Sequence, residues 1–160
     1  MANLTHVDLI TPERVLFSGE AEAVVLRADG ADTTFLANHM DYIGAVDICV
    51  LRLDGVQAGT TPSGEVPTGG TASAGDVAPH GVALAAVHGG FVKVADNKVT
   101  VVAGVAELAE EIDVARAQRA LEAAESRLAA GEVAEAEAAA ARARVRIEAA
   151  VKLKADLGRL

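Results

Sequence analysis

The sequence contains no tryptophan, and aromatic residues make up only 2% of its 160 positions. Because 51% of the residues are nevertheless hydrophobic, we expect a core built from valine, leucine, isoleucine and alanine side chains. No apolar run approaches the roughly 20 residues that a membrane-spanning helix needs. The first residues also lack the basic start and the apolar stretch of a secretory signal. These absences predict a protein that does not span a membrane.

Cysteine is also scarce, since Cys49 is the only one, and an internal disulfide is therefore excluded. Its neighbours Ile48 and Val50 are apolar, so we interpret Cys49 as a packed core thiol rather than a reactive one. A chain without disulfides suits a reducing cytoplasm. The four histidines are scattered along the sequence, and they form neither a metal-ligand spacing nor a nucleophile–base pair. The sequence therefore predicts a protein that is not catalytic by itself and needs no metal.

Basic residues are few in the first two thirds of the chain. The net charge is −9, and residues 1–111 carry 5 Lys and Arg against 15 Asp and Glu. Residues 112–160 carry 9 basic against 8 acidic side chains, and from Ala138 onward six basic residues face two acidic ones. This distribution argues against a nucleic-acid partner. It favours an acidic protein surface or a polyanionic small ligand as the partner of the C-terminal end.

The first two thirds of the sequence have the pattern of short β-strands separated by turns. Asp96-Asn97 separates two valine-rich runs, and both residue types tolerate the positive φ angles of a two-residue hairpin turn. Regularly spaced strands of this kind predict an antiparallel sandwich or barrel. The predicted strands cover residues 4–10, 15–19, 21–26, 34–36, 43–53, 82–87, 91–95 and 99–103, with loops at 28–32 and 38–42.

Residues 54–80 lack any periodicity and are rich in glycine, proline, threonine and serine. Such a segment buries too little apolar surface to offset the entropy of ordering. We interpret it as a surface excursion, and the alternative is a specific binding loop.

After Glu111 the composition becomes alanine-rich and the apolar period changes from two to about 3.6, which indicates helices. Asp113 can cap the first helix, and Gly131 suits the position just after its end. The alanine-rich seam between the helices buries little area, so the sequence predicts a helical hairpin that can change its arrangement without unfolding. The predicted seam consists of Val114, Ala117, Leu121, Ala124 and Leu128 on the first helix and Val133, Ala136, Ala140, Ala143, Ile147, Ala150 and Leu157 on the second.

The chain contains, in this order, four distinctive segments at residues 17–22, 35–39, 89–94 and 97–113, and two predicted helices follow the last of them. In this combination the chain resembles the ε-subunit family of the F-type ATP synthase. The resemblance implies an α+β fold in which an antiparallel β-sandwich of about ten strands is followed by a C-terminal two-helix antiparallel hairpin. The implied boundaries are 1–107 for the sandwich, with an insertion near 55–79, and 112–160 for the hairpin.

The same resemblance implies a function. A member of this family is a rotor subunit in the central stalk, at the cytoplasmic face of the plasma membrane. It binds the γ subunit and the c-ring and couples proton translocation to ATP synthesis. Its helical hairpin can extend to the β subunit and inhibit ATP hydrolysis. The resemblance implies no required cofactor.

Two sets of interface residues follow from the resemblance. Asp32 and His39 match positions in loops that face the c-ring, and their alternative is a solvated carboxylate and a loop-ordering histidine. Arg142, Arg144 and Arg146 on the second helix match a contact with the β subunit, and their alternative is an anion site within the chain.

Residues 112–117 resemble the family's nucleotide pattern Ile/Leu-Asp-x-x-Arg-Ala, which implies regulatory ATP held by Ile112, Asp113, Arg116 and Ala117. Glu107 matches an adenine-side contact. The alternative is a capping aspartate with a local arginine partner. Two other functions also stay open at this point. One is an ATP-sensing regulatory module, and the other is an unrelated β-sandwich adaptor with a coiled-coil tail.

Overall fold

The computed structural model describes residues 3–57 and 81–158. The predicted insertion near 55–79 and His80 lie almost entirely outside these residues. The strands are β1 (Thr5–Ile10), β2 (Val15–Ala21), β3 (Ala23–Ala28), β4 (Ala31–Leu36), β5 (Tyr42–Asp54), β6 (Val82–Ala95), β7 (Lys98–Ala103) and β8 (Ala106–Leu108). A 3-10 turn (Ala109–Glu111) leads into the helices α1 (Val114–Ala129) and α2 (Val133–Leu157).

The strands form one sheet in the order β2-β1-β7-β6-β5-β3-β4, and β8 pairs with β6 beside this path. The neighbours are antiparallel except β1 and β7, which run parallel. Strands from both ends of this path contribute side chains to one buried cluster, for example Phe17 of β2 and Phe35 of β4. The sheet therefore folds over on itself and encloses its core.

The predicted fold class is confirmed, with strands first and a helical pair after them. The described strands number eight rather than about ten because β5 and β6 are long, at 13 and 14 residues. Their ladder is interrupted where Asp47 lies opposite Gly89. Dividing both strands at this point restores the expected number.

Two tight turns connect neighbouring strands. Asp96 and Asn97 have φ angles of +51° and +57°, so the predicted two-residue turn is confirmed. The loop predicted at residues 28–32 is wrong, because Asp29 and Gly30 form an equally tight turn with φ angles of +51° and +80°. Ala28 therefore pairs directly with Ala31, and β4 begins earlier than expected.

Gly90 marks the bend of β6 and has a φ angle of +146°. A Cβ atom at this position would lie 2.1 Å from the carbonyl oxygen of Val102. Only glycine fits this close approach of two backbones. The bend carries β6 from its pairing with β8 to its pairing with β7.

The sandwich core is aliphatic, as the composition predicts, and Cys49 belongs to it. The Cys49 thiol accepts a hydrogen bond from the backbone N–H of Arg27 over 3.4 Å. Burial raises the pKa of this thiol, which keeps it protonated. The packed-thiol interpretation is confirmed.

Both predicted helix ends are confirmed. The Asp113 carboxylate accepts a hydrogen bond from the backbone N–H of Arg116 at 3.0 Å and so caps α1. Gly131 has a φ angle of +91°, and its N–H donates to the carbonyl oxygen of Leu128 over 3.0 Å. In the part of the chain that the structure describes, no helix combines the length and apolar composition needed to cross a membrane.

The predicted seam is correct in its middle and wrong at its ends. Ala117 and Ala124 of α1 and Ala136, Ala140 and Ala143 of α2 are buried. Val133 and Leu157 are exposed. Val133 is the first residue of α2, and Leu157 is the last residue of a helix of 25 residues that outruns the 16 residues of α1. Within residues 3–57 and 81–158, neither side chain is covered by another part of the chain.

The sequence predicts one apolar seam on α2, but the structure shows two apolar faces, and Ala150 of the predicted seam belongs to the second one. Val145, Ala149 and Leu153 follow each other at intervals of four, which places them on one face of α2. This face packs on Leu84 and Ala86 of β6 in a second buried cluster, separate from the sandwich core. We call this position of α2 against the sheet the docked arrangement.

Candidate functional site

Two ion pairs accompany the apolar contact between α2 and the sheet. Arg146 lies 2.7 Å from the Glu107 carboxylate of β8, and Arg52 of β5 lies 3.2 Å from Asp156 near the end of α2. Arg52 also reaches Asp54 at 2.7 Å. All these side chains are partly exposed, so each pair contributes only about 1 kcal/mol or less. The docked arrangement therefore depends on a small apolar cluster and on weak ion pairs.

His88 lies at the edge of this contact. Side chains alternate along a strand, so His88 shares a sheet face with Leu84 and Ala86, and this face packs on α2. Both ring nitrogens are inaccessible to solvent, and neither has a hydrogen-bond partner among residues 3–57 and 81–158. Burial, together with the positive charge of Arg146 and Arg142, lowers the pKa of His88 from 6.5 to about 4, against an opposing effect of Glu107. The imidazole is therefore neutral at pH 7.

The four residues of the predicted nucleotide motif divide into two kinds. Ile112 and Ala117 are buried and pack within the protein. Asp113 and Arg116 are exposed at the start of α1, and the Asp113 carboxylate is engaged in capping the helix. The Arg116 guanidinium has no ion pair within the described ranges. Only Asp113 and Arg116 thus present polar atoms to a ligand.

The remaining candidate ligand, Glu107, is bound to Arg146 by hydrogen bonding as well as by charge, with Arg146 Nε donating over 2.8 Å. A nucleotide at this place would have to share or displace that contact. The described residues contain no group of three or more side chains that could hold a metal ion.

The three arginines of α2 do not form a free basic surface in the docked arrangement. Arg144 pairs with Glu125 of α1 at 3.2 Å, and Arg146 pairs with Glu107. Arg142 is half-buried and forms no ion pair with the described residues. A contact of all three with another subunit would require these internal pairs to be exchanged.

Asp32 lies at the start of β4, and His39 lies in the loop after its end. The Asp32 side chain is 84% exposed and lies 3.8 Å from Arg27. His39 has its Nδ1 atom 2.7 Å from the carbonyl oxygen of Met40, and its ring contacts Phe35 edge-on at 5.1 Å. The histidine thus orders its loop, while the carboxylate stays available to a partner.

Tyr42 connects the two regions that hold Asp32 and His39. Its ring packs on Phe35 at 5.2 Å, and its hydroxyl donates a hydrogen bond to Asp29 in the β3–β4 turn over 2.5 Å. This bond is the main reason that the pKa of Asp29 is lowered. Tyr42 therefore fixes the turn before Asp32 relative to the loop that holds His39.

An apolar surface that the sequence did not predict lies next to this loop. Met40, Ile43 and Phe91 are 77%, 73% and 48% exposed. The register pairs Ile43 with Lys93 and Ala45 with Phe91, so Ile43 and Phe91 are diagonal neighbours on one sheet face. We call these three residues the apolar strip. Clustered exposed side chains of this size mark interaction surfaces more often than isolated ones do.

Comparison with known proteins gives consistent matches. Residues 4–65 match the family model described as ATP synthase, Delta/Epsilon chain, beta-sandwich domain. An ATP synthase epsilon chain of Streptomyces griseus is 39% identical over 126 residues, which is 79% of this chain and 84% of the relative. One from Desulforudis audaxviator is 39% identical over 131 residues, covering 81% of this chain and 79% of the relative.

Among solved structures, the fold is similar to that of a chain in the Euglena gracilis mitochondrial ATP synthase. The TM-score is 0.57 at 19% identity, with 97% of this chain and 82% of that chain covered. At this identity the match supports the fold alone.

Proposed function

Because the chain belongs to the ATP synthase epsilon chain family and is thus a non-catalytic subunit of that enzyme, we propose that it works in the central stalk. Its strand-built part links the γ subunit to the c-ring and so couples proton translocation to ATP synthesis. This role puts it peripherally at the cytoplasmic face of the plasma membrane. The alternative of an unrelated β-sandwich adaptor is wrong, since the family membership excludes it.

The apolar strip carries the proposed binding to γ. An exposed isoleucine and an exposed phenylalanine side by side leave apolar area in water that a partner would bury. Aromatic side chains at the centre of such a surface supply much of the binding energy in protein interfaces. Asp32 and His39 would contact the loops of the c-ring.

Replacing Ile43 and Phe91 together with serine should weaken binding to γ at least about tenfold, because truncating a dominant side chain at the centre of an interface costs about 2 kcal/mol. The measurement is the affinity of the purified chain for γ. Both side chains are outside the core, so the thermal midpoint should stay the same. Val151→Ser is the matched control, because Val151 is 56% exposed on α2, away from the strip. Equal affinities for the double variant and the control would contradict the proposed surface.

The helical hairpin is proposed to regulate ATP hydrolysis. In the docked arrangement Arg144 and Arg146 hold carboxylates of their own chain through partly exposed pairs. Pairs of this kind are weak, so carboxylates of the β subunit could replace them when the hairpin extends. Arg142, Arg144 and Arg146 would then contact β and slow ATP hydrolysis.

A regulatory ATP site at the start of α1 is the second proposal. Exposed Arg116 supports it, because its guanidinium is available for a phosphate while Asp113 stays at the helix cap. Ile112 and Ala117 would shape the site by packing beneath it.

Arg116→Ala should weaken ATP binding to the isolated chain at least about tenfold, since a charge-assisted contact to phosphate contributes 1.5–3 kcal/mol or so. Titration calorimetry measures the affinity. Arg127→Ala serves as the control, because it removes the same charge at the far end of α1, where Arg127 pairs with Glu132. If both variants bind ATP like the parent chain, or if the parent binds none, Arg116 is not a nucleotide ligand.

A further inference from the structure

His88 occupies a place where a positive charge would be poorly tolerated. Its two ring nitrogens are inaccessible to solvent and have no hydrogen-bond partner among the described groups, and the ring is on the sheet face that packs on α2. A neutral imidazole tolerates such a site at moderate cost, whereas a charged imidazolium without a partner does so at much greater cost. Leu84 and Ala86 of the same sheet face pack on α2, and Arg142 and Arg146 of α2 act on the ring, so undocking of α2 should open the ring to water.

The charged groups that face His88 make protonation less favourable still. Arg142 and Arg146 act from α2, and Glu107 acts from β8. Glu107 is already engaged by Arg146. On β5 the residue opposite His88 is the apolar Ile48, and the adjacent Asp47 lies 3.7 Å from Arg27. A protonated His88 would therefore be a third cation beside two arginines and one occupied carboxylate.

We propose that His88 makes the docking of α2 dependent on pH, because the neutral ring permits the docked arrangement and the protonated ring favours the undocked one. The inference concerns the isolated chain. Only its consequence, a change in ATP hydrolysis when the medium becomes acidic, rests on the proposed function.

The direction follows from linkage. The pKa of His88 is about 4 when α2 is docked, against 6.5 for a free imidazole, so the docked arrangement binds fewer protons. Docking is therefore strongest above pH 6.5 and weakens as the pH falls through that value toward 4. Between about pH 7.5 and about pH 5.5 the docking equilibrium constant should fall by up to about tenfold, with solvent screening reducing the change.

Thiol labelling can measure this equilibrium in the full chain. Leu84 belongs to the cluster under α2 and is 1% exposed, so a thiol introduced by Leu84→Cys reacts only when α2 is undocked. The natural Cys49 lies in the separate sandwich core and reports opening of the sandwich itself. The labelling reagent is a disulfide that is active in mild acid, and each labelling rate is normalised to that of a peptide thiol. One experiment then measures both the undocking of α2 and the opening of the sandwich.

The normalised rate at position 84 should rise severalfold, up to about tenfold, from pH 7.5 to pH 5.5, while the rate at Cys49 stays constant. In a His88→Leu background the rise should vanish. In a His6→Asn background it should persist, because His6 lies between Asp8 and Glu20, away from α2. A rise that is the same with and without His88, or no rise in the parent, overturns the proposal.

A second measurement does not depend on any variant at His88. The ring signals of the natural chain can be titrated by NMR, and His88 should show a pKa well below 6.5. If every histidine titrates near the ordinary value, the buried ring does not resist protonation and the proposal fails.

Discussion

Replacing Ala149 with glutamate is expected to detach α2 from the sheet while the strand-built part stays folded. Ala149 has 0% exposure and lies in the cluster between α2 and β6. Burying a carboxylate there costs several kcal/mol. The cluster cannot offset this cost, because four of its eight buried residues are alanines and three others lie at its edge with 8–9% exposure. The sandwich core is a separate cluster and should not be affected.

The detachment should be visible in the isolated chain as a larger radius of gyration in small-angle X-ray scattering, with helix content retained. In the assembled enzyme the variant should slow ATP hydrolysis, because the hairpin is now free to reach the β subunit. The control is Ala155→Glu, since Ala155 is an exposed position of the same helix. Detachment without any change in hydrolysis would show that the extended hairpin is not inhibitory.

Local signals explain which parts of the fold could be predicted. The Asp96-Asn97 turn, the Asp113 cap and the glycine at 131 each depend on the backbone preference of a residue and its immediate neighbours. The turn at Asp29-Gly30 carries a similar signal, but the polar residues around it made a longer loop equally plausible. What holds this turn tight is not local, because the backbone N–H groups of Asp29 and Gly30 donate to the Ala45 carbonyl and the Asp47 carboxylate of β5.

The second apolar face of α2 could not be recognised from the sequence, because alanines occur on every side of this helix. Ala149 and Ala143 look alike in the sequence, yet one packs on the sheet and the other belongs to the seam with α1. The same limit applies to the candidate site. The partners of Arg144 and Arg146 are 19 and 39 residues away in sequence, so only the folded structure shows that these arginines are occupied.

His88 shows this limit most clearly. In the sequence it is one of four scattered histidines. Its lowered pKa comes from burial beneath α2 and from the arginines that α2 brings to it. Neither cause can be inferred before the position of the helices is known.

Ending the chain after Glu111 is expected to raise ATP hydrolysis by the assembled enzyme severalfold, because no hairpin remains to reach the β subunit. We propose that residues 1–111 fold by themselves. Their core does not include the helices, and the Arg14–Glu111 ion pair is retained. The truncation does uncover Leu84 and its neighbours, so adding Leu84→Ser to the shortened chain should limit aggregation without touching the core.

The truncation and Ala149→Glu remove the docked arrangement in different ways, and this makes their comparison decisive. Ala149→Glu leaves a free hairpin, whereas the truncation leaves none. A hairpin that inhibits when extended therefore predicts slower hydrolysis for Ala149→Glu and faster hydrolysis for the truncated chain. A hairpin that inhibits while docked predicts faster hydrolysis in both, and a hairpin that only packs predicts no change in either. The comparison holds only if the shortened chain still binds γ. We expect that it does, because its apolar strip is intact. If it folds and yet fails to bind γ, the strip is not sufficient and the helices contribute to assembly.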